Sequence, residues 1–213
     1  MASRDGNGWV RCSQGHRHWG RFGAAGLLAS AGPPGDLKIL MQRRSRWGHH
    51  GGAWGLPGGA ADSHEAPVAA ALREAAEECL VPPDAVVVRG VFLDDHGDWA
   101  YHTVFASAPE PFYVFPDSDE SDEAAWIDAD QVSGLDLHPG LAMRWADLSR
   151  GLEPLTVIVD AANVVGSRPD GWWRDRPAAA RRLIAGLGTL AGAGISDLPP
   201  ELRYPAPALS LIH

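Results

Sequence analysis

Residues 58–81 read GGAADSHEAPVAAALREAAEECLV, and the spacing of the polar positions in this stretch organises the rest of the chain. The run 64–80 has strong helix formers and no glycine, with Pro67 tolerable in a first turn, so it predicts a helix over 64–80. Val68, Leu72, Ala75, Ala76 and Cys79 recur at spacings of three and four and form an apolar stripe. Glu74, Glu77 and Glu78 stand at i, i+3 and i+4, so their carboxylates share a face, which this pattern sets opposite the stripe. Carboxylates so close repel one another without a cation. They suit a hard, oxygen-preferring divalent ion such as magnesium or manganese. The alternative is a solvated acidic face with Arg73 as a partial counter-charge.

Five residues separate Gly59 from Glu65, seven more precede Arg73-Glu74, and two alanines precede Glu77-Glu78. This spacing resembles the signature of the Nudix hydrolase family, Gly-x5-Glu-x7-Arg-Glu-U-x-Glu-Glu-x-Gly-U with U apolar. The lead-in WGLPGG at 54–59 is similar to the segment that enters that box. The resemblance covers the box sharply and the β-rich flanks at roughly 20–150 more loosely. It implies an α/β/α sandwich around a mixed sheet. The activity it implies is attack of water on a phosphorus of a pyrophosphate bridge, in a nucleoside triphosphate or a nucleoside diphosphate-linked compound. A divalent metal, Mg2+ or Mn2+, would neutralise phosphate charge and lower the pKa of the water.

Carried over residue by residue, the resemblance gives metal-ligand roles to Glu74, Glu77 and Glu78. Glu74 or Glu78 would also orient or deprotonate the water. Arg73 would hold a box carboxylate by a charge-assisted pair, and Glu65 would orient rather than ligate. Gly58 and Gly59 would let the loop bend and bring backbone close. Many members take a further acid from a distant loop; Glu120 and Glu123, just before Trp126, are the candidates, against a reading as solvated loop charges. Trp47, His49, His50 and Trp54 precede the box and could line a base or sugar pocket, with Trp54 better suited to the core. Trp99 and Tyr101 share a strand face as sheet residues or pocket walls. One position departs from the pattern: Leu80 stands where the family has glycine, and Pro82-Pro83 would stop the helix instead. A nucleotide-binding or sensor domain without turnover is the alternative function, disfavoured because every box glutamate is present.

The 213 residues carry 45% hydrophobic and 21% charged side chains, which excludes a wholly disordered chain. No apolar run approaches the length of a membrane span, and the polar N-terminus has no secretory core, so a cytoplasmic protein is expected. A net charge of −9 argues against binding extended nucleic acid, and the small nucleotide expected as partner is what the resemblance implies. Cys12 and Cys79 cannot build a disulfide framework. Cys12, His16 and His18 offer three zinc ligands without a fourth or a CxxC pair, so a polar leader packed on the domain is preferred.

The expected organisation is a polar leader at 1–21, a Nudix-type domain at 22–152, and an accessory α/β segment at 153–213. Strands are expected at 22–30, 37–43, 85–92, 99–106, 112–115 and 124–127, with an exposed acidic loop at 117–123 and a helix at 139–149. In the last segment, VIVDAANVVG at 157–166 weakly resembles the opening strand of PIN-like or NYN domains, with Asp160 at the strand end and Asn163 in the following turn. Few acids follow Asp160, so an incomplete domain is favoured over a second active site. Its apolar strand, at 155–159, could pack on the catalytic domain or pair a second chain as a homodimer. A helix is expected at 177–190 and an irregular tail from Leu198.

Overall fold

The computed structural model describes residues 5–152, 156–193 and 208–212. The leader is more than a polar extension: Trp9–Arg11 (β1) and Arg17–Trp19 (β2) form an antiparallel hairpin with Trp9 opposite Trp19. Gly15, at φ +87°, turns its loop. The hairpin docks through Cys12, which packs with Ala24 and Trp99, and Trp99 Nε1 donates to Gly20 O at 2.8 Å.

Ala24–Ala31 (β3) is buried at every position, which explains its continuous apolar reading. After the turn at 32–35, Lys38–Arg44 (β4) pairs with β3 only at Ser30–Ala31 against Lys38–Ile39, and the two strands then part. The segment 54–60 fills the opening: Trp54–Gly55 (β5) pairs with β4, and Gly58–Ala60 (β6) pairs with β3. Pro67–Cys79 (α1) follows. Val87–Asp95 (β7) and Ala100–Ala108 (β8) form a hairpin, and β8 runs parallel to the whole of β3. Ser121–Asp128 (β9) lies antiparallel to β4, and Pro139–Arg150 (α2) closes the domain.

The result is a mixed sheet in the order β5-β4-β3-β8-β7, with β6 beside β3 and β9 beside β4. One face buries Leu27, Leu40 and Val104 under Ala71, Ala75 and Cys79 of α1. The other buries Leu28, Ile39 and Phe105 under Leu141, Trp145 and Leu148 of α2. Each fully buried aliphatic side chain contributes about 1.5–3 kcal/mol over exposure. The architecture is an α/β/α sandwich.

Several expectations change. Helix α1 starts at Pro67, after His64 takes a left-handed φ of 69°. Its buried face is Ala70, Ala71, Ala75, Glu78 and Cys79, so Ala76 lies off it and the acids are not all opposite it. The helix ends before the two prolines: Leu80 itself adopts φ 56°, ψ 32°. Leu80 N donates to Ala76 O and Val81 N to Ala75 O, both at 3.2 Å; the first is the bond of an αL cap, with leucine in the position that glycine usually takes. The run 112–115 forms no strand, because Phe112 and Val114 pack as single side chains on the α1-side core. Strand β9 begins inside the acidic stretch, where Ser121 Oγ donates to Gln42 Oε1 at 2.7 Å.

Beyond α2, Thr156–Asp160 (β10) leads into a short helix, Ala161–Gly166 (α3), and a long one, Arg176–Ala193 (α4). Asp160 caps α3: Oδ1 accepts from Asn163 N at 3.0 Å, and Oδ2 from Asn163 Nδ2 at 2.8 Å. Asn163 therefore sits in a helical first turn, not in a loop. Ala208–Ile212 (β11) pairs parallel with β10, so part of the tail expected to be irregular is a strand; 198–207 lie outside the described residues. Among the described residues, no helix is long and apolar enough to cross a membrane.

Candidate active site

Arg73, in the middle of α1, is the hub of the box. Its Nε and one terminal nitrogen donate to Glu65 at 2.8 Å each, a bidentate pair. That terminal nitrogen also reaches Ala60 O at 3.0 Å, and the other donates to Glu74 at 2.7 Å and to Glu77 at 3.4 Å. Hydrogen bonding to Arg73 holds the Glu65 carboxyl below its ordinary range. Glu65 reaches back to accept from Asp62 N at 3.1 Å, which fastens the loop before the helix. The leader joins this loop as well, since Gly6 N donates to Asp62 Oδ1 at 3.0 Å.

Glu78, one turn further on, is only 4% exposed. Its Oε2 accepts from Gly58 N and from Gln42 Nε2, each at 2.8 Å. Neither partner is a cation. Burial pushes the Glu78 carboxyl up to about 8, with the Gly58 amide opposing and Glu74 and Glu120 adding to the rise. Burial also raises Glu74, against the pull of Arg73. Gly59 makes room for that carboxylate: a Cβ there would stand 2.7 Å from the Glu74 carboxyl carbon.

Of the two distant acids, Glu120 reaches the site and Glu123 does not. Glu120 lines a solvent-open cleft with Gly59, Arg73 and Glu74, and its charge bears on both Glu74 and Glu78. Glu123 stands opposite Arg43 in the β9–β4 pairing and reaches it at 3.9 Å, whereas Glu120 lies in the turn just before β9. Trp47 is 95% exposed on the turn after β4. His49 and His50 sit beside the cleft wall rather than in it: His49 packs 5.0 Å from Trp9, and His50 packs 4.7 Å from His138. Tyr101 extends over Gly26, whose added Cβ would meet the hydroxyl at 2.1 Å. Burial, with Glu78 and Glu74 nearby, raises its phenol above the ordinary value. Trp99 is buried, and Trp54 is half-buried against the α2-side core.

The leader also contributes to the cleft lining, through Asn7 and Trp19. Trp19 and Trp9 are 41% and 40% exposed and pack edge to face at 5.4 Å. These residues, and Gln42, escaped sequence reasoning. Gln42 carried a signal, a lone amide among apolar residues of an interior strand; Asn7 and Trp19 carried none, because their position depends on hairpin docking.

A helix bearing clustered carboxylates, a glycine loop beneath it and an arginine clamp within an α/β/α sandwich define a pyrophosphohydrolase of the Nudix class. Residues 21–146 match the model of the NUDIX domain, and the chain belongs to the Nudix family. It is 44% identical over 151 residues to a Mycobacterium tuberculosis protein named "Putative 8-oxo-dGTP diphosphatase 3", covering 68% of this chain and 69% of that one. It is 39% identical to a Bifidobacterium longum nucleoside triphosphate pyrophosphatase/Nudix hydrolase fusion protein, over 70% of this chain and 32% of the fusion. The crystal structure of RenU, a Nudix hydrolase from M. smegmatis, superposes with a TM-score of 0.62 at 45% identity, covering 67% of this chain and 92% of RenU.

Proposed function

We propose that the chain hydrolyses the pyrophosphate bridge of a nucleoside triphosphate or nucleoside diphosphate-linked compound, with magnesium held by Glu74, Glu77 and Glu78 and assisted by Glu120. The convergence of Glu120 with Glu74 and Glu78 carries this reading. Like charges drawn together and partly buried favour further positive charge, and Arg73 is one cation shared among Glu65, Glu74 and Glu77. The groups offered are hard carboxylate oxygens, which fit magnesium or manganese. When bound, the cation offsets phosphate charge and acidifies a water.

The chain's own residues position the rest. Arg73 keeps Glu65 and Glu74 in place, while Gly58 and Gln42 fix Glu78 through Oε2. The exposed Trp19, which lines the same cleft as Glu74, offers a stacking surface for a base. The name of the mycobacterial relative makes an oxidised purine deoxynucleoside triphosphate the first substrate to assay.

The test is a panel of nucleoside triphosphates, 8-oxo-dGTP, dinucleoside polyphosphates and nucleotide sugars with magnesium, read by monophosphate release. Glu77→Gln and Glu78→Gln should keep the fold and lower turnover by about 100-fold or more. Folded, fully active variants would remove these residues from catalysis. The pH–rate profiles of Glu74→Gln and Glu78→Gln distinguish which carboxylate takes the water's proton.

A further inference from the structure

Three side chains of the β1–β2 hairpin and one from the β7–β8 turn meet outside the acidic cleft. Cys12 follows β1, His16 and His18 lie at the start of β2, and His96 occupies the turn between β7 and β8. One donor atom from each lies within 4.8 Å of all the others. Two pairs are closer still: His18 Nε2 to Cys12 Sγ is 3.4 Å, and His16 Nδ1 to His96 Nδ1 is 3.4 Å. With Zn–N of 2.0–2.1 Å and Zn–S of 2.3 Å, the edges of a tetrahedral site are about 3.3–3.6 Å. Both measured pairs therefore stand at edge length, and the widest has about 1.5 Å or less to close.

Ring packing alone is the simpler account. It covers His18, which stacks on Trp99 at 3.9 Å and 8°. Pairwise hydrogen bonds add His16 to His96 and His18 to Cys12, yet neither they nor ring packing explain why all four donor atoms converge on one point. The surroundings are those of a held site. Asp94 Oδ1 lies 3.7 Å from His96 Nε2, the nitrogen on the far side of the ring from His16, and Arg144 grips Asp94 with two nitrogens. A carboxylate behind an imidazole fixes its tautomer and aims the other nitrogen. Ser13 ties the two loops together, its amide donating to Asp98 at 2.7 Å and its hydroxyl to His96 O at 3.3 Å.

We propose that Cys12, His16, His18 and His96 form a tetrahedral site for zinc that pins the N-terminal hairpin to the β7–β8 turn. One sulfur and three imidazoles suit zinc and not magnesium. Four protein ligands close the coordination sphere, as in structural rather than catalytic zinc sites. What the ion secures is the hairpin that carries Trp19 to the cleft.

Full-length protein is equilibrated with zinc, dialysed and assayed for metal; about one equivalent should remain per chain, as four protein ligands hold one ion. Cobalt in its place should give a thiolate-to-cobalt charge-transfer band and intense four-coordinate visible bands. Cys12→Ser should abolish the charge-transfer band, and Cys79→Ala should leave it. His96→Ala and His16→Ala, at turn and exposed positions that do not support the core, should weaken zinc by more than the about 10–100-fold that outer partners are worth. The Glu77→Gln/Glu78→Gln double variant should keep wild-type zinc affinity, separating this site from the acidic cleft. Stripping zinc should speed trypsin cleavage at Arg11 and Arg17, and adding it back should restore protection. No retained zinc, a cobalt spectrum without the thiolate band, or unchanged affinity in both histidine variants would overturn the proposal.

Discussion

The Gly58 amide donates to Glu78 Oε2 at 2.8 Å, joining the loop before α1 to the last turn of that helix. Twenty residues of chain are thereby closed into one unit, in which the path of the glycine loop and the position of the deepest carboxylate depend on each other.

Gly58 and Gly59 should fail in different ways. A Cβ on Gly58 meets backbone, Ala25 O at 2.4 Å and the Gly26 Cα at 2.5 Å, whereas on Gly59 its nearest atoms are the Glu74 carboxyl group. Gly58→Ala should cost about 1–3 kcal/mol, as overpacking of a closed contact does. Gly59→Ala should melt close to the parent yet lose turnover, because Glu74 must swing away. Melting curves and rates on the same samples check both; a fully active Gly59→Ala protein would show that the cradle is not needed.

Arg73→Lys should be a severe change despite keeping the charge. A point ammonium cannot make the bidentate pair to Glu65 while also reaching Ala60 O and Glu74. Losing about 2 kcal/mol of charge-assisted bonding corresponds to a fall in Tm of about 4–8 °C in a chain of this size. Calorimetry measures it, and a Tm equal to the parent's would remove Arg73 as the clamp.

Leu80→Gly should stabilise the protein. Leu80 holds a left-handed conformation that costs a side-chain-bearing residue about 1–2 kcal/mol, and it is 41% exposed, so little packing is lost. Denaturant unfolding should show a gain of up to about 1 kcal/mol, the rest being offset by glycine's unfolded-state entropy. A loss would mean that the leucine side chain supports the loop after the helix.

His138 should make the fold acid-sensitive. Its Nδ1 accepts from Gly140 N at 3.2 Å at the start of α2, which requires an unprotonated nitrogen. Burial, then Arg44, His50 and His49, pushes its pKa from 6.5 down to about 4. With the folded value below the unfolded one, the unfolded chain binds protons more readily between the two. This contribution is complete above about pH 6.5, declines as pH falls, and is gone below about pH 4. His138→Asn keeps a capping acceptor that does not titrate, so its melting temperature should fall less over that window. Parallel profiles for the two proteins would exclude the ring.

The box was legible because its signal is local. Helix periodicity and fixed spacings place Arg73 and Glu74 without knowledge of the rest of the chain. The buried side of the acidic face was not, because Glu78 turns inward only where Gln42 and Gly58 await it from other strands. Glu120 and Glu123 looked equivalent in sequence, and the start of β9 separated them: Glu120 lies in the turn before it, and Glu123 is paired opposite Arg43 within it. His96 lay in a polar hairpin loop with nothing to mark it until the leader folded against it.

Asn7 and Trp19 precede residue 21, where the match to the family model begins, yet they line the same cleft as Glu74. The lining is thus encoded in separable pieces of chain. Substitutions in the hairpin can reshape one part of it while the carboxylates and Arg73 stay untouched, and the helix can be kept constant while the hairpin drifts. Under the reading proposed here, selectivity could diversify quickly in a protein whose chemistry is held still, and grafting β1–β2 between relatives would transfer preference without transferring catalysis.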